Sequence, residues 1–144
     1  MRRLIALLAL ALAPLALQGC VATECTDAGC ESTIRVNYGS ITVNEPYVLS
    51  INPEGPTVSV NCLGSGPDSE PPPDWIDCDA NGFELSGEFG SLTTITVAVV
   101  PVASQEPLIA NALVPLTVVE TLEPNGPDCP PACYVREGST EGLG

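Results

Sequence analysis

Apolar and polar positions change rhythm part-way along this chain of 144 residues. From Leu4 to Leu17 the side chains are apolar with one interruption, Pro14; from Thr33 onward they alternate. Thr33–Tyr38, Tyr47–Ile51 and Thr57–Cys62 each set apolar residues at every second position, the period of a half-buried strand. Phe83–Phe89 alternates again, and Thr93–Val99 is a β-branched run with Ile95, Val97 and Val99 on one face. A turn at Ser104–Pro107 leads into Leu113–Leu122, where Pro115 predicts an edge position or a bulge. A brief strand at Tyr134–Arg136 follows, weakened by Gly138, Gly142 and Gly144. Between these runs lie GSGPDSEPPPD after Leu63 and EPNGPDCPPAC near the end, Pro- and Gly-rich stretches that cannot enter a sheet interior. No helical spacing recurs after Leu17. Short strands separated by turn signals predict an all-β fold with disulfides: a single antiparallel β-sandwich, immunoglobulin-like in layout, over residues 33–144.

The opening apolar run belongs to something else. Arg2 and Arg3 precede it and the small residue Gly19 closes it, the pattern of an export signal over residues 1–19. It falls short of the roughly 20 uncharged residues that a bilayer core needs, and Pro14 would interrupt it. Leu17-Gln18-Gly19-Cys20 resembles a bacterial lipobox. The resemblance implies that the Cys20 thiol is lipidated, that the chain is cut before it, and that the new amino group is acylated. Two or three acyl chains hold a soluble domain on a membrane where one does so only marginally. Val21 after Cys20 resembles the outer-membrane sorting pattern of lipoproteins. Residues 20–32, small, polar and acidic, then read as a lipidated tether.

Cleavage before Cys20 removes 19 residues and leaves 125, the size of one domain. It also removes two of the four basic residues, so Arg35 and Arg136 stand against 18 acids, a formal charge of −16. Two arginines cannot neutralise a phosphate backbone, which excludes nucleic acid as a partner. The expected partners are the membrane, through the lipid, and a protein or other envelope component. With no histidine and no lysine, Ser-His-Asp, Cys-His, Ser-Lys and Schiff-base chemistry are ruled out. Carboxylate pairs alone do not make a site, and the one tryptophan, Trp75, reads as a loop residue packed on the sandwich rather than a sugar platform. No catalysis and no cofactor are expected.

The seven cysteines become six once Cys20 is set aside, an even number in an exported chain. Six allow 15 connectivities. Cys62 shares the parity of Val58 and Val60 and meets Cys78 across the Pro-rich loop, which favours that pair. Cross-pairing Cys25 and Cys30 with Cys129 and Cys133 is favoured over local pairs, because it ties the tether to the C-terminal loop and closes loops of about 100 residues. A zinc site on those four would have atypical spacing, and no C-x-x-C is present for thiol exchange.

Asp77-Cys78-Asp79-Ala80-Asn81-Gly82 through Glu88 satisfies the D-x-[DN]-x-[DN]-G-x5-E calcium-loop pattern. The context opposes it: PPPDWI precedes the loop and a strand follows, so Glu88 would lie roughly 23 Å beyond Asn81. What remains is an acidic turn in which Asn81-Gly82 reverses the chain, with weak calcium binding by Asp77, Asp79 and Asn81 as the alternative.

The C-T-x-x-G-C spacing before the first strand, TVSVNC and DC around the Pro-rich loop, and PNGPDCPPAC before the last strand together resemble a group of short bacterial lipoproteins of no assigned activity. That resemblance implies the anchor and a cysteine-stapled β domain. The function expected is therefore an exported, membrane-anchored lipoprotein with a binding or structural role in the envelope. A calcium-dependent adhesion module and a secreted, lipid-free β domain are the alternatives.

Overall fold

Successive side chains of a strand point to opposite faces, so an alternating sequence folds by placing its apolar set against another sheet. The computed structural model describes residues 25, 27–53, 55–64 and 71–143. The signal 1–19, the lipidation residue Cys20, residues 21–24 of the tether and residues 65–70 of the Pro-rich loop lie outside them. Among the described residues there are nine strands: β1 Ser32–Asn37, β2 Tyr47–Asn52, β3 Val58–Cys62, β4 Ile76–Cys78, β5 Gly82–Gly87, β6 Thr94–Pro101, β7 Ile109–Pro115, β8 Thr117–Leu122 and β9 Cys133–Ser139. They form two sheets, ordered β4-β5-β1-β9-β8 and β3-β2-β6-β7.

The fold is an all-β sandwich. Ile34 and Val36 of β1, Tyr47, Leu49 and Ile51 of β2, Leu85 of β5 and Ile95, Val97 and Val99 of β6 are all buried in one core cluster. Trp75 packs against that cluster, its ring 6.0 Å from that of Phe89. The layout shares with immunoglobulin domains two packed, mainly antiparallel sheets, but the strand order is its own: β1 sits between β5 and β9. Every pairing is antiparallel except β1 with β9, which run side by side in parallel.

Several elements differ from the alternation-based reading. The stretch Leu113–Leu122 is not one strand. β7 ends at Pro115, which has no N–H to continue a ladder, and Leu116 turns inward with its N–H donating to Thr93 O at 2.8 Å. The chain then crosses to the other sheet as β8. Pro115 does lie on an edge strand, while the bulge falls upstream: Ala98 of β6 faces both Ala110 and Asn111, and Asn111 adopts φ 53°. A second bulge isolates Val119 on β8, whose six residues are all exposed. The last strand is longer than its glycines suggest. Gly138 is required there, because a Cβ would lie 2.6 Å from Val114 Cγ1 and 3.0 Å from both Leu116 Cδ2 and Pro115 O. Its absent side chain lets the β7–β8 corner press onto β9.

Three disulfides complete the frame: Cys25–Cys129, Cys30–Cys133 and Cys62–Cys78. The first two continue the parallel β1–β9 pair beyond its start. Between them Asn125, only 7 % exposed, binds the incoming chain: its Oδ1 accepts Ala28 N–H at 2.9 Å and its Nδ2 donates to Ala28 O at 3.0 Å. The incoming chain is thus held on the domain at Cys25, Ala28 and Cys30. The third disulfide joins β3 to β4, the outer strands of opposite sheets, and closes that side of the sandwich. On the other side β7 and β8, also outer strands of opposite sheets, are joined by the crossing at Leu116.

Two outcomes follow. Gly138→Ala should destabilise by about 1–3 kcal/mol through overpacking, read from the denaturant midpoint, whereas Gly29→Ala, where a Cβ meets nothing within 4 Å, should be near neutral. The paired cross-links should be non-additive. With one intact, the other closes a ring of residues 25–30 and 129–133 and contributes somewhat under about 3 kcal/mol; with neither, a loop of sequence separation 104 is released, adding about 4–5 kcal/mol. Replacing both pairs by serine should therefore cost more than the two single replacements summed.

Candidate functional site

β1 and β9 lead away from the stapled end, and the segments that follow them meet at the far end of the sheet. Tyr38 N–H donates to Asn81 O at 2.7 Å, Val43 N–H to Ala80 O at 2.7 Å, and Thr140 N–H to Asn37 O at 3.0 Å. Loops after β1, before β5 and after β9 are thereby tied together. The β6–β7 hairpin joins them through the rim residues Pro107 and Leu108.

Two buried phenols organise this end. Tyr47 OH donates to Asp79 O at 2.7 Å, so the proton on Tyr38 OH is directed at the Tyr47 oxygen 3.1 Å away. The rings meet edge to face with centroids 6.1 Å apart. Burial raises both phenols above the ordinary tyrosine range, Tyr38 the further. Sequence reasoning treated both as strand residues. Their shared inward face was visible in the alternation; their contact across loops was not.

The same network accounts for the acidic turn. Asp79 Oδ1 accepts the N–H groups of Asn81 at 2.6 Å and Gly82 at 2.9 Å, and Asp79 N–H donates to Gly82 O at 3.0 Å. This carboxylate is built into an Asx-type turn. Asn81 Oδ1 accepts the Thr42 hydroxyl at 3.3 Å. Asp77 is exposed on β4, and Glu88 lies beyond the far end of β5. Among the described residues no three acidic, Cys or His side chains converge as a metal would require. The expected role of Asn81-Gly82 needs correction: neither has positive φ, and Gly82 is required because a Cβ would clash with the Val36 carbonyl on β1.

Two hollows open here. One, about 370 Å³, is a depression bordered by the charged residues Arg35, Asp77, Asp79, Glu84 and Glu137. Within it Arg35 Nε contacts Glu84 Oε2 at 2.8 Å, an exposed pair of little energetic weight. Compared with known proteins, the chain matches no family model, no curated sequence and no solved structure. The other hollow, about 410 Å³, lies between the ends of β1 and β9 and the start of β7. Its walls include Tyr38, Ile41, Leu108, Ile109, Ala112 and Leu143. Ser40, Thr140 and Glu141 stand beside these apolar walls, so the recess is of mixed character and of the size that takes a small molecule.

Arg136, the other cation that follows Cys20, lies on β9. It shares the face of Gly138, donates from Nη2 to Gly90 O at 2.8 Å and stacks 5.5 Å above the Tyr134 ring. It serves packing at the opposite end.

The phenol pair generates an ordered prediction. Tyr47→Phe strands both the Tyr38 proton and the Asp79 carbonyl, so it should cost about 1–3 kcal/mol, and more than Tyr38→Phe, which removes only the outer donor. The folded pKa values are raised, so this contribution is complete below the unfolded tyrosine pKa near 10 and declines as pH rises above it. The denaturant midpoint should stay level up to about pH 10 and then fall, with a shallower fall in the double Phe variant.

Proposed function

We propose that this chain is an exported lipoprotein, anchored through Cys20 in a bacterial envelope membrane, most simply the outer membrane, whose β-sandwich has a binding or structural role without catalysis. The observation that carries the reading is the pair of cross-links, Cys25–Cys129 and Cys30–Cys133, set directly after the lipobox. Disulfides persist in oxidising compartments, which agrees with an export signal. Their position gives the anchor a geometry. From Cys20 to Cys25 the chain can span at most about 18 Å, so the stapled end stays near the bilayer. The six residues of β1 carry the chain roughly 20 Å further, which turns the recess at its far end away from the membrane. A charge of −16 on the chain from Cys20 onward keeps the domain off anionic headgroups, leaving the lipid as its hold.

The test is the intact mass of the protein extracted from membranes of a lipoprotein-competent bacterial host, before and after reduction with thiol alkylation. The expected result is a chain beginning at Cys20 with two or three acyl chains, and six thiols that react only after reduction. A lipid-free mass with the same six protected thiols would favour the secreted β domain, and free thiols without reduction would sink the disulfide frame.

A further inference from the structure

All the charge carried by strands lies in one sheet. β1, β4, β5, β8 and β9 hold Arg35, Asp77, Glu84, Glu120, Arg136 and Glu137, whereas β2, β3, β6 and β7 contain no charged residue, in a chain with 18 acids. The outward side of that second sheet departs from the polar surface usual for an antiparallel sheet that faces water. Val48 stands beside Val100 there, Ser50 beside Ser59 and Thr96 beside Leu113. Leu113, 61 % exposed, is the most exposed large apolar side chain among the described residues. The Ser50 and Ser59 hydroxyls share a hydrogen bond at 2.8 Å, which lowers the cost of taking them out of water.

We infer that this uncharged sheet face is where two copies of the chain meet, face to face about a two-fold axis. Charge selects the surface. Each copy carries −16 from Cys20 onward, so two copies meet at least cost where their acids stay apart. Contact through the other sheet would set Glu84, Glu120 and Glu137 against their equivalents. Contact through the uncharged face separates the two charged sheets by three spacings of about 10 Å, several times the Debye length of about 8 Å at physiological salt. Acids in the connecting loops, such as Glu45 and Glu106, lie beyond the strand ends. A two-fold axis along the strands also leaves both stapled ends on one side, as two chains anchored in one membrane need. That orientation rests on the anchor proposed above, while the charge argument does not. The face measures about 20 Å each way, on the order of 400 Å² per copy, so the dimer falls at the low end of specific interfaces and is weak in solution. Confining both copies to one membrane raises their effective concentration.

The test is sedimentation equilibrium of the lipid-free chain from Cys20 onward, with its three disulfides formed, at concentrations up to about 1 mM. A reversible monomer–dimer equilibrium is expected, with a Kd between about 10 µM and about 1 mM. It should tighten between about 50 mM and about 500 mM NaCl, because salt screens the repulsion between the two acidic chains. Leu113→Glu and Thr96→Glu each place a carboxylate on the face and should weaken the dimer about ten-fold or more. Leu113→Glu alters an exposed side chain and should keep the wild-type melting temperature. Glu137→Gln, on the charged sheet, should leave the Kd within about two-fold. A chain that stays monomeric up to about 1 mM, which leaves this face to a different partner, would overturn the inference. So would a dimer that both face variants still form with unchanged Kd, or one that weakens as salt rises. A lipid-free mass in the earlier measurement would remove the anchor and leave this result standing.

Discussion

The parallel contact between β1 and β9, locked by two disulfides at its start, is the constraint on which the rest of the structure depends. A parallel pair cannot close through a tight turn, so nearly the whole domain must be threaded between its two members. Once they lie side by side in the middle of a sheet, the intervening chain is obliged to build outward to β5 and β4 on one flank and β8 on the other. The cross-links remove much of the entropy that such a long closure would otherwise oppose to folding. The second sheet is then fastened at both sides by covalent links of different kinds, Cys62–Cys78 and the chain crossing at Leu116.

At the opposite end the fold relies on hydrogen bonds instead of sulfur. Tyr38, Tyr47 and the Asp79 carbonyl form a short relay in which each member satisfies the next, and the Asp79 carboxylate holds the turn that positions that carbonyl. Burial makes this relay dependent on every partner being present. It also fixes one wall of the neighbouring recess through Tyr38. Order at this end comes from loops anchored to one another, and the recess exists because those loops meet without filling the gap between the sheets.

Alternation made β1, β2, β3, β5 and β6 legible, because their inward faces are consistently apolar and burial is decided by period two. β4 was hidden: three residues with Ile76 as the sole core side chain give no period to read. Leu113–Leu122 misled because β-branched residues on either side of Leu116 carry the same signal whichever sheet they join, and only Pro115 marks the change. Gly138 and Gly82 were read from propensity, while their roles are close approaches that depend on partners distant in sequence. For the candidate site, the calcium-like spacing was legible and its turn character followed from context. The phenol relay was not, since it is defined by side chains that meet only in three dimensions.

The placement of Cys25–Cys129 also governs how the molecule carries load. A pull applied at residue 25 does not peel β1 from its neighbours one hydrogen bond at a time. The tension enters the Cys129 branch through a covalent bond, and the adjoining Cys30–Cys133 link shares it between two strands that point the same way. Pulled from the same end, the two strands move together, and the load passes in shear to their ladders with β5 and β8, whose hydrogen bonds resist together. The first and last strands act as a double-stranded mooring line, with the remainder of the domain riding slack beyond it.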